Sequence, residues 1–210
     1  MDLLPFKRLI KEKCGLNFKD EVFSQLPEAI SSRMADTDTR NFSRYLDALL
    51  YDESEFQRLI SLLTINETYF MREARHYALL ADRLFPELLK KRQSEKKKIN
   101  ILSAGCSTGE EPYSILISLA HKYGEEVLDL VSVTAVDIHQ GTIETAQKGA
   151  YGAHSFRGVD ANIKARYFTP LANGQYEILP SLKERIRFCV LNLGNDVYPD
   201  FIHDMDIIFY

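Results

Sequence analysis

Residues 99–114 read Ile-Asn-Ile-Leu-Ser-Ala-Gly-Cys-Ser-Thr-Gly-Glu-Glu-Pro-Tyr-Ser. An apolar run, two spaced glycines and a helix start, in that order, mark a buried strand that turns through a glycine loop into a helix. The pattern after it is β-α-β. Ile99 to Ser103 is the first strand. Glu111 to Tyr123 is a helix with Pro112 in its first turn and Gly124 just past its end. Thr108 with Glu111, or Ser107 with Glu110, fits a capping box. Leu130 to Val136 is a second strand ending at Asp137, and Thr142 to Lys148 a second helix. Tyr167 to Phe168, Gln175 to Leu179 and Ile186 to Leu191 have the look of short strands, with Asn173-Gly174 as a hairpin turn. Met205 to Tyr210 is a last strand. Because the chain stops there without a following loop or helix, it is expected to be a fragment cut at a strand end.

The first half reads as helix. Leu3 to Lys13 opens it, and Glu21 to Met34 carries Val22, Phe23, Leu26 and Ile30 near helical spacing. Asp36 to Thr39 is a polar break. Phe42, Tyr45, Leu46, Leu49 and Leu50 then share a helix face that Asn41 is placed to cap. Phe56, Leu59, Ile60 and Leu63 repeat the pattern after Asp52. Helices this short and this closely spaced make a small bundle. Glu73 to Arg92 is a longer helix, and Pro86 inside it predicts a kink or a break. Gln93 to Lys98 is a charged connector.

The bulk properties narrow the class. The 210 residues are 45% hydrophobic and 27% charged, as in a globular chain large enough for one α/β domain and a small helical one. No apolar run reaches the length of a membrane span, and the N-terminus lacks the apolar core of a signal peptide. The three cysteines show no paired spacing, which points to a reducing cytoplasm. Net charge is −4 and gives no general preference for nucleic acid or anionic lipid. Residues 1–98 hold 18 Lys/Arg against 16 Asp/Glu, a small excess that a solvated helical surface accounts for. His76, His121, His139, His154 and His203 have no metal-ligand spacing, so no metal is expected. Cys106 reads as a small turn residue, and Tyr69, Phe70, Tyr77 and Phe85 as helix packing.

The charges on the turn select its ligand. A phosphate-loop ATPase needs Lys then Ser or Thr after the last glycine; here Glu110 and Glu111 follow Gly109. A dinucleotide fold needs an open helix N-terminus for its pyrophosphate. Two carboxylates there repel it, and one like-charge contact at 4 Å costs about 4 kcal/mol at an effective dielectric of 20. A sulfonium cofactor brings no phosphate but a positive centre and an ammonium group, so the same acids become favourable. The turn therefore points to S-adenosylmethionine and methyl transfer, with helix capping as the plain alternative for the two glutamates. Asp137, at the end of the second strand, stands where an acid accepts hydrogen bonds from ribose hydroxyls; its plain alternative is a helix cap before Thr142.

These residues resemble the CheR-type methyltransferases of bacterial chemotaxis receptors. Ala104-Gly105-Cys106-Ser107-Thr108-Gly109-Glu110-Glu111-Pro112-Tyr113-Ser114 is similar to that family's turn. Thr64-Ile65-Asn66-Glu67-Thr68-Tyr69-Phe70-Met71-Arg72-Glu73 is similar to its linker motif. Asp137-Ile138, with Ala146, Gly149 and Tyr151, resembles its second-strand segment, and Asn192-Leu193 its Asn-Leu pair. The resemblance spans nearly the whole chain and is weakest in the first 60 residues. It implies an all-α N-terminal domain (1–63), a linker and helix (64–98), and a Rossmann-like methyltransferase domain (99–210) with a small antiparallel β-subdomain at 165–190. It implies cofactor contacts at Asn66, Thr68, Arg72, Glu111, Asp137, Asn192 and Leu193. It also implies an Arg-Asn pair and a tyrosine further on, which the 210 residues stop short of.

The implied reaction moves the methyl group of S-adenosylmethionine to a glutamate on the helical cytoplasmic region of a methyl-accepting receptor, leaving S-adenosylhomocysteine. No nucleic acid and no membrane insertion are implied. Arg72 is the candidate catalytic residue, since a guanidinium forks around either the incoming carboxylate or the cofactor's own. Its plain alternative is a surface arginine opposite Glu67 or Glu73. Two rival readings are a domain of the same fold that binds cofactor or docks a receptor without turnover, and an NAD-dependent oxidoreductase, which the two acids disfavour.

Overall fold

The computed structural model describes residues 2–15, 24–64, 67–95, 97–195 and 197–210. The chain divides into two compact units, Met1–Asn66 with Asn192–Val197, and Glu67–Leu191 with Tyr198–Tyr210.

The described part of the first unit is helical: α1 (Leu4–Cys14), α2 (Leu26–Asp36), α3 (Phe42–Tyr51) and α4 (Glu53–Leu63). The expected helix from Glu21 is first described at Leu26, with Pro27 in the first turn where its missing N–H is harmless. Glu21, Val22 and Phe23 lie outside the described residues. Asn41 caps α3 as expected, its side chain accepting from the Arg44 amide at 3.1 Å. Asp52 does the same for α4 through the Glu55 amide at 3.1 Å. The apolar faces supply the buried residues Phe6, Ile10, Ile30, Leu49, Phe56, Leu59 and Ile60. Among them sits a buried ion pair. Arg33 forks onto Glu55 at 2.9 and 2.6 Å, and the Tyr45 hydroxyl donates to the same carboxylate at 2.8 Å.

In the second unit β1 (Ile99–Ala104), β2 (Val131–Asp137), β6 (Ile186–Val190) and β7 (Ile207–Phe209) form a parallel sheet in the order β6-β2-β1-β7. The first two strands pair from Ile99 opposite Val131 to Ala104 opposite Val136. The chain order across the sheet reverses beside β1, the place where an open α/β sheet leaves a crevice at the carboxyl ends of its strands. Asp206 fixes the entry to β7: Arg92 donates to it at 2.5 and 3.1 Å, and the Asn100 amide at 2.9 Å. Helix α7 (Glu110–Tyr123) follows β1 and is buried along most of its length, from Pro112 to Ile117 and again at Leu119 and Ala120. Helix α8 (Gln140–Lys148) follows β2.

The break expected at Pro86 is present, whereas the expectations for the antiparallel subdomain, Tyr167, Asn192 and Leu193 are corrected. The helix with the proline is α5 (Ala74–Leu79), a π-helical stretch Leu80–Leu84 and α6 (Phe85–Glu95). The wide turn precedes Pro86, with the Phe85 amide reaching back to the Leu80 carbonyl. It relieves the clash that a proline ring makes with the carbonyl four residues earlier. The antiparallel subdomain expected at 165–190 has different membership. Its sheet is β3-β5-β4, with β3 (Ala150–Tyr151), β4 (Phe168–Pro170) and β5 (Tyr176–Ile178), so one strand comes from before residue 165. Ile186–Val190 belongs instead to the parallel sheet, paired with Val133–Asp137. Tyr167, expected in a strand, ends helix α9 (Ala161–Tyr167), whose N-cap is Asp160. Asn192 and Leu193, expected in the 99–210 domain, group with the helical unit, where the Asn192 amide donates to the Lys13 carbonyl at 2.6 Å.

Among the described residues no helix is long and apolar enough to cross a membrane.

Candidate functional site

The turn between β1 and α7 takes its shape from backbone that only some residues adopt. Gly105 sits at φ +77°, and a Cβ there would meet no atom within 4 Å among the described residues, so its sp3 face borders open space. Gly109 is the opposite case. At φ +94° it is the N-cap of α7, and a Cβ would lie 2.7 Å from the Ala146 Cβ and 3.1 Å from the Tyr151 hydroxyl. One glycine leaves room for a ligand; the other lets helix α8 and the Tyr151 strand close against the turn. The amides of Gly105 and Cys106 both donate to the Val136 carbonyl, at 2.8 and 2.9 Å, which ties the turn to the end of β2.

Neither expected capping box forms. The N-cap is Gly109, which has no side chain to accept with, and the acids turn elsewhere. Glu110 is buried and accepts from the Thr108 hydroxyl at 2.6 Å and the Ser155 hydroxyl at 2.9 Å. Glu111, half-buried, accepts from the Ser103 hydroxyl at 2.6 Å. Burial pushes the Glu111 carboxyl above its ordinary range, and Ser103, His76 and Arg72 only partly offset this. Among the described residues no Lys or Arg is ion-paired to Glu110, Glu111 or Asp137.

Asp137 is buried and joins the turn to the start of α8. One of its oxygens accepts from the Ser107 amide at 2.8 Å, the other from the His139 amide at 2.9 Å. It is not the cap of α8, whose N-cap is His139. Each oxygen keeps a second lone pair for a further donor. Burial pulls the neighbouring His139 below its ordinary pKa, with Asp137 opposing, so the imidazole is neutral at pH 7. The Ser107 hydroxyl is buried with no partner among the described residues.

The segment before α5 approaches the same helix end. Met71 adopts φ +59°, a left-handed conformation rare for its type, and its amide donates to the Ser114 hydroxyl at 3.0 Å. Phe70 is fully buried, and its amide donates to the Ser155 carbonyl at 2.9 Å. Arg72 is exposed. Its Nη1 donates to the Glu67 backbone carbonyl at 2.7 Å, not to the carboxylate of Glu67 or Glu73. Thr68 is half-buried in the same segment. Asn66 lies outside the described residues, and Asn192 and Leu193 belong to the helical unit. Ser103, Ser107 and Ser155 were not singled out from the sequence as site residues. Serines 103 and 107 lie inside the quoted turn segment, whereas Ser155 reaches Glu110 from 45 residues away and leaves no local signal.

The surroundings fit an adenosyl sulfonium compound. A half-buried carboxylate without an ion pair among the described residues suits an ammonium or sulfonium centre, an acid at the end of β2 suits ribose hydroxyls, and a hydroxyl unpartnered among those residues and an open glycine face leave donors and space. The two acids of the first helical turn disfavour a phosphate.

Comparison with known proteins agrees. Residues 66–210 match the family model "CheR methyltransferase, SAM binding domain", and residues 1–64 match "CheR methyltransferase, all-alpha domain". The chain is 30% identical to chemotaxis protein methyltransferase 2 of Vibrio cholerae, over 99% of its own length and 72% of the relative's. It is 29% identical to the chemotaxis protein methyltransferase of Borreliella burgdorferi, over 96% and 72%. The relative from Campylobacter jejuni is 30% identical over 85% and 63%. With a glycine turn whose acids favour a cation-bearing nucleotide and family matches on both sides of residue 65, this chain belongs to the CheR family of S-adenosylmethionine-dependent chemotaxis methyltransferases.

Proposed function

We propose that the chain methylates glutamate side chains on the helical cytoplasmic region of a chemotaxis receptor, giving γ-glutamyl methyl esters, and that it works in the cytoplasm. The observation that carries this reading is the Glu111 carboxylate, half-buried beside the turn and held by a serine hydroxyl with no ion pair among the described residues. The names of the relatives support a receptor of the chemotaxis system as acceptor.

S-adenosylmethionine supplies, when bound, a methyl group activated by a positively charged sulfur. A free glutamate has a pKa of about 4.3, so the attacking oxygen is already anionic at pH 7 and no general base is needed. The chain's part is positioning, which in favourable cases is worth roughly 7–11 kcal/mol. In this reading Arg72, which is exposed and has one donor engaged with the Glu67 carbonyl, holds the cofactor's carboxylate in its guanidinium fork. Glu111 accepts from the cofactor's ammonium group and Asp137 from its ribose. Thr68, half-buried in the segment before α5, adds a further contact.

Two measurements test the reading. Calorimetry with S-adenosylhomocysteine should show binding, with NAD and ATP inert. Radiolabelled transfer to receptor-bearing membranes should yield base-labile methyl esters, and Arg72→Ala should lower that rate by about 100-fold while remaining folded. Uptake of the thioether without transfer would favour a non-catalytic module; preference for NAD or ATP would overturn the cofactor assignment for this site.

A further inference from the structure

Arg157 is poorly explained by stability alone. It lies in the loop that follows a 3-10 turn, Ala153–Phe156, and its side chain is 38% exposed. Exposed ion pairs contribute little to stability. Yet three contacts converge on it or its neighbours from 85 to 90 residues earlier in the chain. Its Nη2 donates to the Glu67 carboxylate at 2.5 Å, and its guanidinium lies 4.0 Å from the centroid of the Tyr69 ring. Two residues before it, the Ser155 carbonyl receives the Phe70 amide at 2.9 Å. The Ser155 hydroxyl in turn is fastened to Glu110 at the start of α7.

Residues 67–70 are thus gripped at every position but Thr68, and the strand of contacts ends at Arg72. The carbonyl of Glu67, whose side chain Arg157 holds, is the acceptor for Arg72 Nη1 at 2.7 Å. Arg157 first, with Arg72 and His154 adding to it, keeps the Glu67 carboxyl below its ordinary range, so the grip persists throughout neutral pH. Lysine would match the charge but not the combination of stacking and directed N–H donation, because only a planar guanidinium offers both.

We propose that Arg157 is a positioning residue for Arg72: through Glu67 and Tyr69 it fixes the loop whose carbonyl aims the Arg72 guanidinium at the cofactor carboxylate. The inference rests on the reading of Arg72 given above and adds a residue that the turn motifs do not contain. It acts on affinity through orientation, not through contact of its own.

A double-mutant cycle on S-adenosylhomocysteine affinity, measured by calorimetry on the full chain, tests it. Arg157→Ala should weaken binding about 10-fold in the native background, and less than about 2-fold when Arg72→Ala is already present, because residues acting through one another are not additive. Arg157→Lys should recover part of the loss, and Glu67→Gln should reproduce most of it should Arg157→Ala fold poorly. Affinity unchanged in Arg157→Ala, or losses that multiply in the double variant, would overturn the proposal while leaving the role of Arg72 intact. Native affinity in Arg72→Ala would overturn both.

Discussion

The helical unit and the α/β unit each bury carboxylates, and they treat them in opposite ways. Glu55 in the helical unit is met by the Arg33 fork and the Tyr45 hydroxyl, with Arg58 at 3.5 Å. Glu110, Glu111 and Asp137 around the glycine turn are met by serine and threonine hydroxyls and by backbone amides. The difference shows in the protonation of Glu55 and Glu111. Burial works against the charge of Glu55, but Arg33 and Tyr45 outweigh it and hold the carboxyl below its ordinary 4.5. Burial of Glu111 is only partly offset by Ser103, His76 and Arg72, and its carboxyl is held above 4.5. An arginine neutralises a charge that serves the fold. Neutral donors keep a charge in place without cancelling it, and leave it to a ligand that brings its own positive centre.

The largest effect should come from breaking the first arrangement. Glu55→Ala strips Arg33 of its buried partner and leaves it the exposed Asp36, and urea unfolding should show a loss of about 3 kcal/mol. S-adenosylhomocysteine affinity should be untouched, and a large change in it would blur the division between the regions.

Asp137→Ala should act mainly on binding. Lost charge-assisted hydrogen bonds of roughly 1.5–3 kcal/mol correspond to a Kd raised by about 10- to 100-fold. An unchanged calorimetric constant would contradict the ribose role. Glu111→Gln keeps the shape and removes only the charge, so a Kd about 10-fold weaker is expected, with stability equal to or slightly above the native chain's.

The pH profiles sharpen the contrast because their signs differ. The folded pKa of Glu55 lies below its unfolded value. Its contribution is fully present above the unfolded value and disappears as pH falls through the folded one. The folded pKa of Glu111 lies above its unfolded value, so a destabilising contribution sets in as pH rises from about 4.5 through the raised folded value. Stability curves of Glu55→Gln and Glu111→Gln should therefore lie on opposite sides of the native curve near neutral pH, with both differences shrinking as pH falls. Departures of the same sign would remove the distinction drawn between the two sets of carboxylates.

Much of this was legible along the chain wherever the information is local. The strand, turn, helix and second strand around Gly105 and Gly109 follow from periodicity and glycine placement, as does the cap at Asn41. Features set by distant partners were not. The strand Ala150–Tyr151 is too short to carry a pattern and exists because Tyr176 and Glu177 pair with it. Ile186–Val190 has the same composition whether it joins an antiparallel or a parallel sheet, and only its pairing with β2 decides. Asn192 lies two residues past a strand end, and its side chain binds the carbonyl of Lys13.

The adjacent glutamates mark the boundary most clearly. The amino-acid order alone established that two acids follow the second glycine, which excludes a phosphate loop and favours a cationic nucleotide, because charge at a helix start acts on whatever binds there. Tertiary structure alone decided that Glu110 is spent on the distant Ser155 while Glu111 is left beside the turn. Successive side chains on a helix point about 100° apart, so neighbours in the chain meet different surroundings, and those are assembled from residues far away in sequence.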